Sequence, residues 1–189
     1  MASLGKRLHP RLWPLYGLAI ALLVVARPSP LSLVVGGGLA LLGEVLRLWA
    51  TGYPHKNDAL TMTGPYAFLR NPLYLGTFLI ASGFCMAARS ETGLLLLGLF
   101  LLFFFTYYMP YKNRIEGARL ERLYGDAFRR YALAVPSLVP RLHAYRPLGS
   151  EQPAEIRWRA ERFADNHEVG TAGVLVLALC AMVARWALV

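Results

Sequence analysis

Apolar residues along this chain come in long unbroken tracts: Leu12–Ala26, Leu31–Ala50, Leu73–Met109 and Val169–Val189. None alternates with period two, and none keeps a single narrow apolar stripe, so each predicts a helix that is apolar on all sides. A helix crossing a hydrocarbon layer of ~30 Å needs ~20 residues. The third tract is too long for one crossing and is interrupted at Arg89-Ser90-Glu91, which divides it into spans over 73–88 and 93–109. The pattern predicts an all-α integral membrane bundle of about five helices, near 12–26, 31–50, 73–88, 93–109 and 169–189, forming one domain over 1–189. A largely polar insert, 110–168, separates the fourth span from the fifth. Within it, 112–131 has helical periodicity and Val135-Pro136-Ser137-Leu138-Val139-Pro140 must be extended, because two prolines that close together break a helix. A second polar helix is predicted over 153–164, and Asp165-Asn166-His167-Glu168 has the form of a capping box for the last span.

Composition sharpens this picture. The chain has 189 residues, 56% of them hydrophobic, with a net charge of +9. The basic residues are unevenly placed: Lys6, Arg7 and Arg11 precede the first span, Lys56 and Arg70 lie between the second and third, and eleven Lys or Arg fall between Pro110 and Glu168. The loops at 27–30 and 89–92 carry one arginine each. The positive-inside rule places the N-terminus, the 51–72 loop and the insert in the cytoplasm, and the C-terminus outside. The charge thus speaks for orientation and anionic headgroups, and no soluble basic face for nucleic acid is visible. Arginine far outnumbers lysine, as in GC-rich genomes, so the inner membrane of a bacterium is the expected location. Cys85 and Cys180 fall inside apolar spans, with neither a disulfide framework nor metal-ligand spacing. The first tract lacks a small-residue cleavage site and is expected to be retained.

Four polar features carry chemistry. Glu44 and Arg47 sit three residues apart in one span, where an intrahelical pair with the arginine reaching for the headgroups is expected. On a projection of 112–131, Leu120, Leu123, Tyr124, Ala127, Phe128 and Tyr131 share a face, and Glu116 projects onto it between Leu123 and Ala127. Such a carboxylate must be paired, as with Arg70 or Arg114, must be protonated, or must bind a cation. The triglycine Gly36-Gly37-Gly38 with Gly43 fits close helix packing, most simply within the chain, and the oligomeric state stays open. Finally, in GPYAFLRNPLYLG (64–76) Gly64-Pro65 signals a turn and Asn71-Pro72 a helix start with Asn as N-cap. That leaves Tyr66, Arg70 and Tyr74 grouped at a helix N-terminus, a feature suited to binding an anion or a nucleotide.

GPYAFLRNPLYLG resembles the G-P-Y-x-x-x-R-H-P-x-Y-x-G signature of the isoprenylcysteine carboxyl methyltransferase and phospholipid methyltransferase group. RIEGARLERLYGDAFRRYALAVPSLVP (114–140) resembles that group's second signature, E-E-x-x-x-L-x-x-x-F-G-x-x-Y-x-x-Y with a V-P and P ending. The resemblance covers roughly 31–141. It implies a small helical membrane enzyme that binds S-adenosyl-L-methionine between these segments and methylates a lipophilic acceptor from the bilayer. Carried over, Arg70, Pro72, Tyr74 and Gly76 match the first signature and Glu116 the first glutamate of the second. Tyr66, Arg70, Asn71, Pro72, Tyr74, Gly76 and Glu116 are then the expected cofactor-binding residues, and Arg70 or Arg114 the groups that neutralise a carboxylate. Asn71 replaces the group's histidine and cannot titrate near neutrality, and Gly117 replaces its second glutamate. The competing expectations are an NADPH-dependent membrane reductase related to sterol reductases and a non-catalytic membrane scaffold.

Overall fold

A computed structural model of the chain describes residues 20–53, 60–147, 158–159 and 168–188. The described residues form helices joined by short turns and contain no strand. Helix α1 is described over 20–25, the end of the first predicted span. Then come α2 (Pro30–Thr51), a 3-10 turn (Gly64–Ala67), α3 (Pro72–Ala88), α4 (Glu91–Phe103), a π-helical segment (Phe104–Tyr108), α5 (Met109–Ala134) and α6 (Glu168–Leu188). α2, the continuous helix Glu91–Ala134 and Gly170–Leu188 are long and apolar enough to cross a membrane, and α3 is a shorter apolar helix. Large apolar side chains such as Val34, Leu42, Leu94, Leu102 and Leu177 stay exposed on them, as lipid-facing surfaces require. The chain is a helical membrane bundle. The predicted helix at 153–164 and the capping residues 165–167 lie outside the described residues.

The helix starts follow local chemistry. Ser29 caps α2 in a reciprocal box, its Oγ accepting from Ser32 N–H while Ser32 Oγ accepts from Ser29 N–H, and Pro30 occupies N1. Ser90 caps α4 through Gly93 N–H at 3.0 Å. α3 ends on Arg89 in the left-handed conformation (φ 44°).

Small residues set the tightest packing. α2 and α3 cross with Gly36 and Ala40 against Gly83, and Gly43 against Gly76. A Cβ on Gly43 would lie 2.5 Å from the Gly76 carbonyl oxygen, and one on Gly83 would lie 2.5 Å from that of Gly36. Backbones this close recover through van der Waals contact what the hydrophobic effect cannot supply between helices in lipid. The glycine-rich stretch of α2 therefore serves an intramolecular contact. At this crossing Glu44 pairs with Arg47 (3.8 Å), and Arg47 reaches sideways to Thr77 Oγ1 at 2.7 Å instead of snorkelling outward.

The largest departure from the sequence reading concerns α4 and α5. They were expected as a span and a separate helix divided near Pro110, yet the helix that starts at Glu91 runs through Pro110 as far as the kink at Gly125. Pro110 has no N–H to give and its ring crowds the carbonyl one turn back. The five-residue π segment directly before it relieves that conflict: Met109 N–H bonds to Phe104 C=O, and Thr106 Oγ1 bonds to Leu102 C=O. Further along, Gly125 takes φ 51°, ψ −127° and kinks α5. This φ is open to glycine and strained for any residue with a Cβ. The kink dissolves the single face projected over 112–131: Leu120, Phe128 and Tyr131 are buried, whereas Leu123 is 53% exposed.

Candidate functional site

The site is assembled where the 64–71 segment, α5 and the extended 135–141 segment meet. Gly64 has φ 59°, which lets the chain turn beneath the Tyr53 ring and buries Tyr66. The expected extended segment then runs alongside. Pro136 C=O accepts from Arg70 N–H (2.8 Å), and Ser137 C=O from Asn71 N–H (3.2 Å). Arg141 and Tyr145 N–H return bonds to Phe68 and Ala67 carbonyls. The amides of Arg70 and Asn71, just before α3, are thus taken up by the 135–141 segment.

Asn71 also departs from its expected part. It occupies the N-cap position of α3 but its side chain caps nothing. Its Nδ2 donates instead to Asn113 Oδ1 (3.0 Å) and Ser137 Oγ (2.9 Å), while Ser137 Oγ donates to Asn113 Oδ1 (2.7 Å). This closed set, with Asn71 only 6% exposed, clamps the loop, α5 and the extended segment together.

Around the clamp lies a pocket of ≈ 400 Å³, counted with its open mouth, lined by Tyr66, Arg70, Asn71, Asn113, Glu116 and Gly117, with Leu60, Thr61, Leu120, Phe128 and Tyr131 completing it. Asn113, Glu116, Gly117 and Leu120 come from α5 before the kink at spacing i, i+3, i+4, i+7, and Phe128 and Tyr131 from beyond it. Two charged groups face this space. Glu116 accepts a short hydrogen bond from Tyr74 Oη, a phenolic partner that the sequence did not indicate. Arg70 keeps its Nε buried with no hydrogen-bond acceptor among the described residues, and burial lowers the pKa of its guanidinium. Burial, with Glu116 nearby, pushes the Tyr66 phenol above its ordinary range. Burial likewise raises Tyr131, whose Oη donates to Tyr66 C=O at 2.8 Å. Both therefore stay neutral hydrogen-bonding groups near neutral pH.

Of the residues singled out from sequence, Tyr66, Arg70, Asn71 and Glu116 line the pocket, and Tyr74 touches it through Glu116. Pro72 is buried at N1 of α3, and Gly76 lies at the α2–α3 crossing against Gly43 and Arg47, away from the pocket lining. Arg114 is exposed and outside the lining, and Asn113, one position earlier, faces inward. Sequence reasoning missed Asn113 and Gly117, although the i, i+3, i+4, i+7 stripe through Glu116 contains both. Nothing local marks Ser137, which arrives by long-range folding. A Cβ on Gly117 would have no neighbour within 4 Å, so the missing second carboxylate leaves open space.

Comparison with known proteins agrees with this architecture. Over 120 residues the chain is 35% identical to the cobalt-zinc-cadmium resistance protein CzcN of Cupriavidus metallidurans, covering 62% of this chain and 53% of that protein. It is 34% identical over 86 residues to the protein-S-isoprenylcysteine O-methyltransferase of Schizosaccharomyces pombe, covering 46% and 35%. It is also 34% identical over 120 residues to the nickel-cobalt-cadmium resistance protein NccN of Alcaligenes xylosoxydans xylosoxydans, covering 62% and 54%. The matched stretches span about half or less of these relatives' lengths. No solved structure matches significantly. Residues 31–127, from α2 through the Gly125 kink, match the phospholipid methyltransferase family, and with both signature segments folded onto one pocket, the chain belongs to that family.

Proposed function

We propose that this protein transfers a methyl group from S-adenosyl-L-methionine to a lipophilic acceptor, an isoprenoid carboxylate or a phospholipid-like molecule, at the cytoplasmic face of the membrane. The observation that carries the reading is the pairing, in one pocket, of a carboxylate oriented by Tyr74 with an arginine whose buried Nε has no acceptor among the described residues. A buried donor without an acceptor costs roughly 1–3 kcal/mol, which a ligand carboxylate would recover. S-adenosylmethionine carries an ammonium, a carboxylate and ribose hydroxyls, and this donor and acceptor set fits them. Glu116 would hold the ammonium or the ribose, Arg70 a carboxylate of cofactor or acceptor, and the apolar Leu60, Leu120 and Phe128 would exclude water.

When bound, the cofactor supplies an electrophilic methyl group, and the protein's task is alignment. A carboxylate acceptor enters already ionised and needs no general base. An ammonium acceptor must first lose a proton, and among the described residues no histidine lines the pocket to take it. Among the described residues no three His, Cys, Asp or Glu side chains gather in a group that could hold an ion.

The test is calorimetric titration of the full chain in detergent with S-adenosylmethionine, S-adenosylhomocysteine and NADPH. Glu116→Gln and Arg70→Ala should each weaken S-adenosylhomocysteine binding about tenfold or more, as loss of a charged hydrogen bond of ~1.5–3 kcal/mol implies. NADPH binding without S-adenosylmethionine binding would overturn the reading in favour of a reductase, and binding of neither would favour a scaffold.

A further inference from the structure

One cation next to the pocket is left unexplained by methyl transfer. Lys112 lies one turn before Glu116 on α5 and is half-buried. Its ammonium stands 5.8 Å from the centroid of the Tyr74 ring and 5.9 Å from that of Tyr108. The two rings meet edge to face at 5.6 Å. Among the described residues no carboxylate pairs with this ammonium, and no hydrogen-bond acceptor satisfies its three N–H groups. Tyr74 thus touches both the lysine through its ring and Glu116 through its hydroxyl.

The surroundings form a graded path. From Tyr74 and Tyr108 toward the bilayer, Phe78 packs on Phe104 (4.9 Å), Phe105 (5.5 Å) and Phe100 (5.9 Å), and Phe104 stacks on Tyr108 (5.7 Å). Phe103, Phe105 and Tyr107 keep half or more of their surface exposed to the lipid side. In order come an apolar aromatic seam, an ammonium between two rings, and then the pocket carboxylate. Aromatic faces stabilise an ammonium but leave its hydrogen-bonding capacity unused. An anionic headgroup supplies what is missing, with its chain along the seam.

We propose that Lys112, held by Tyr74 and Tyr108, is an anion-binding subsite that captures the negatively charged headgroup of a membrane amphiphile at the pocket mouth. The inference rests on the methyl-transfer reading only for calling that amphiphile the acceptor. The binding itself does not depend on it. A lysine beside an aromatic belt also serves as an interfacial anchor, but an anchor holds the helix without discriminating between headgroups.

The experiment uses the full chain in phosphatidylcholine nanodiscs and measures binding of oleate and oleyl alcohol by displacement of a fluorescent fatty acid. S-adenosylhomocysteine is titrated calorimetrically in parallel. Lys112→Met should weaken oleate about tenfold or more, the loss of one charge-assisted contact, and leave oleyl alcohol and S-adenosylhomocysteine unchanged. Lys112→Arg should retain oleate binding, which shows that the charge matters and that the fold tolerates change at this position. Phosphatidylglycerol nanodiscs separate the sources: competition with oleate marks a bulk phospholipid phosphate, its absence a single-chain acceptor, and both outcomes support an anion site at Lys112. Equal oleate affinity in Lys112→Met and the parent overturns the proposal, as does equal loss of the alcohol, which marks an interfacial anchor only. If the parent binds oleate but not S-adenosylhomocysteine, the methyl-transfer reading fails and the anion site stands.

Discussion

Gly125→Ala isolates the contribution of a single backbone angle to this fold. Gly125 has φ 51° and ψ −127°, and a Cβ placed on it would meet nothing within 4 Å. The substitution therefore adds no steric overlap with neighbours, and its cost is conformational, of order 1–3 kcal/mol for a residue held in a glycine-only region. Alanine also reduces the freedom of the unfolded chain, which returns about 0.4–1 kcal/mol. The net loss is roughly 1–2 kcal/mol, or about 2–8 °C in Tm for a chain of this size. Gly117→Ala is the internal control. It lies in the regular part of the same helix, equally unobstructed, and should raise Tm slightly, by the ~0.5–1 kcal/mol that separates alanine from glycine in a helix. Thermal unfolding of both variants in one detergent, followed by circular dichroism, gives the comparison. Because the kink delivers Phe128 and Tyr131 to the pocket, Gly125→Ala should also weaken any ligand that the pocket binds. If Gly125→Ala matches or exceeds Gly117→Ala in Tm, the strain argument is wrong and α5 can straighten without loss.

Two further outcomes follow from packing and protonation. Gly43→Val should disrupt the α2–α3 crossing, since its Cβ would lie 2.5 Å from the Gly76 carbonyl oxygen, and overpacking costs about 1–3 kcal/mol or more. Gly38→Val, where a Cβ meets nothing, should be tolerated, and equal Tm losses would refute the crossing geometry. Burial raises the Tyr66 and Tyr131 phenols above their ordinary value of 10.0, so the folded state stays protonated where the unfolded state ionises. Their contribution is complete below pH 10 and lost above it, at roughly 1.4 kcal/mol per residue per pH unit. Tm should be level up to about pH 9.5 and fall beyond it, with phenolate absorbance from these residues appearing only on unfolding. A fall in the phenolate absorbance of the still-folded protein near pH 10 on Tyr66→Phe or Tyr131→Phe would contradict their burial, because the chain's other tyrosines are common to parent and variant.

The limits of sequence reading here are physical. The bounds of α2 and α3 were legible because Ser29-Pro30 and Asn71-Pro72 are local signals that act where they stand. The junction at Pro110 was misjudged because proline breaks an α-helix, and no sequence rule says when a π segment will absorb it instead. Arg114 was favoured over Asn113 because charge draws attention, while the 100° between neighbouring helix positions decides which side chain faces the pocket. Asn71 has ideal chemistry for a cap, yet a longer-range demand, two acceptors on Asn113 and Ser137, took its amide. Glu116 could be seen as a problem carboxylate, whereas its phenolic partner comes from 42 positions away.

The π segment has a bearing on how this chain tolerates changes in length. A π turn accommodates about one residue more than an α turn over a similar rise, so 104–108 acts as a stored insertion within an otherwise regular rod. Removing one residue there would let the turn close to α geometry while α4 and α5 keep their rotational phase, so that the lipid-facing and pocket-facing stripes stay in place. The same deletion elsewhere in the rod would turn everything beyond it by ~100°, carrying Asn113 and Glu116 out of the pocket. Length variation among related chains would then be expected to concentrate in this short aromatic stretch, where it costs the site least.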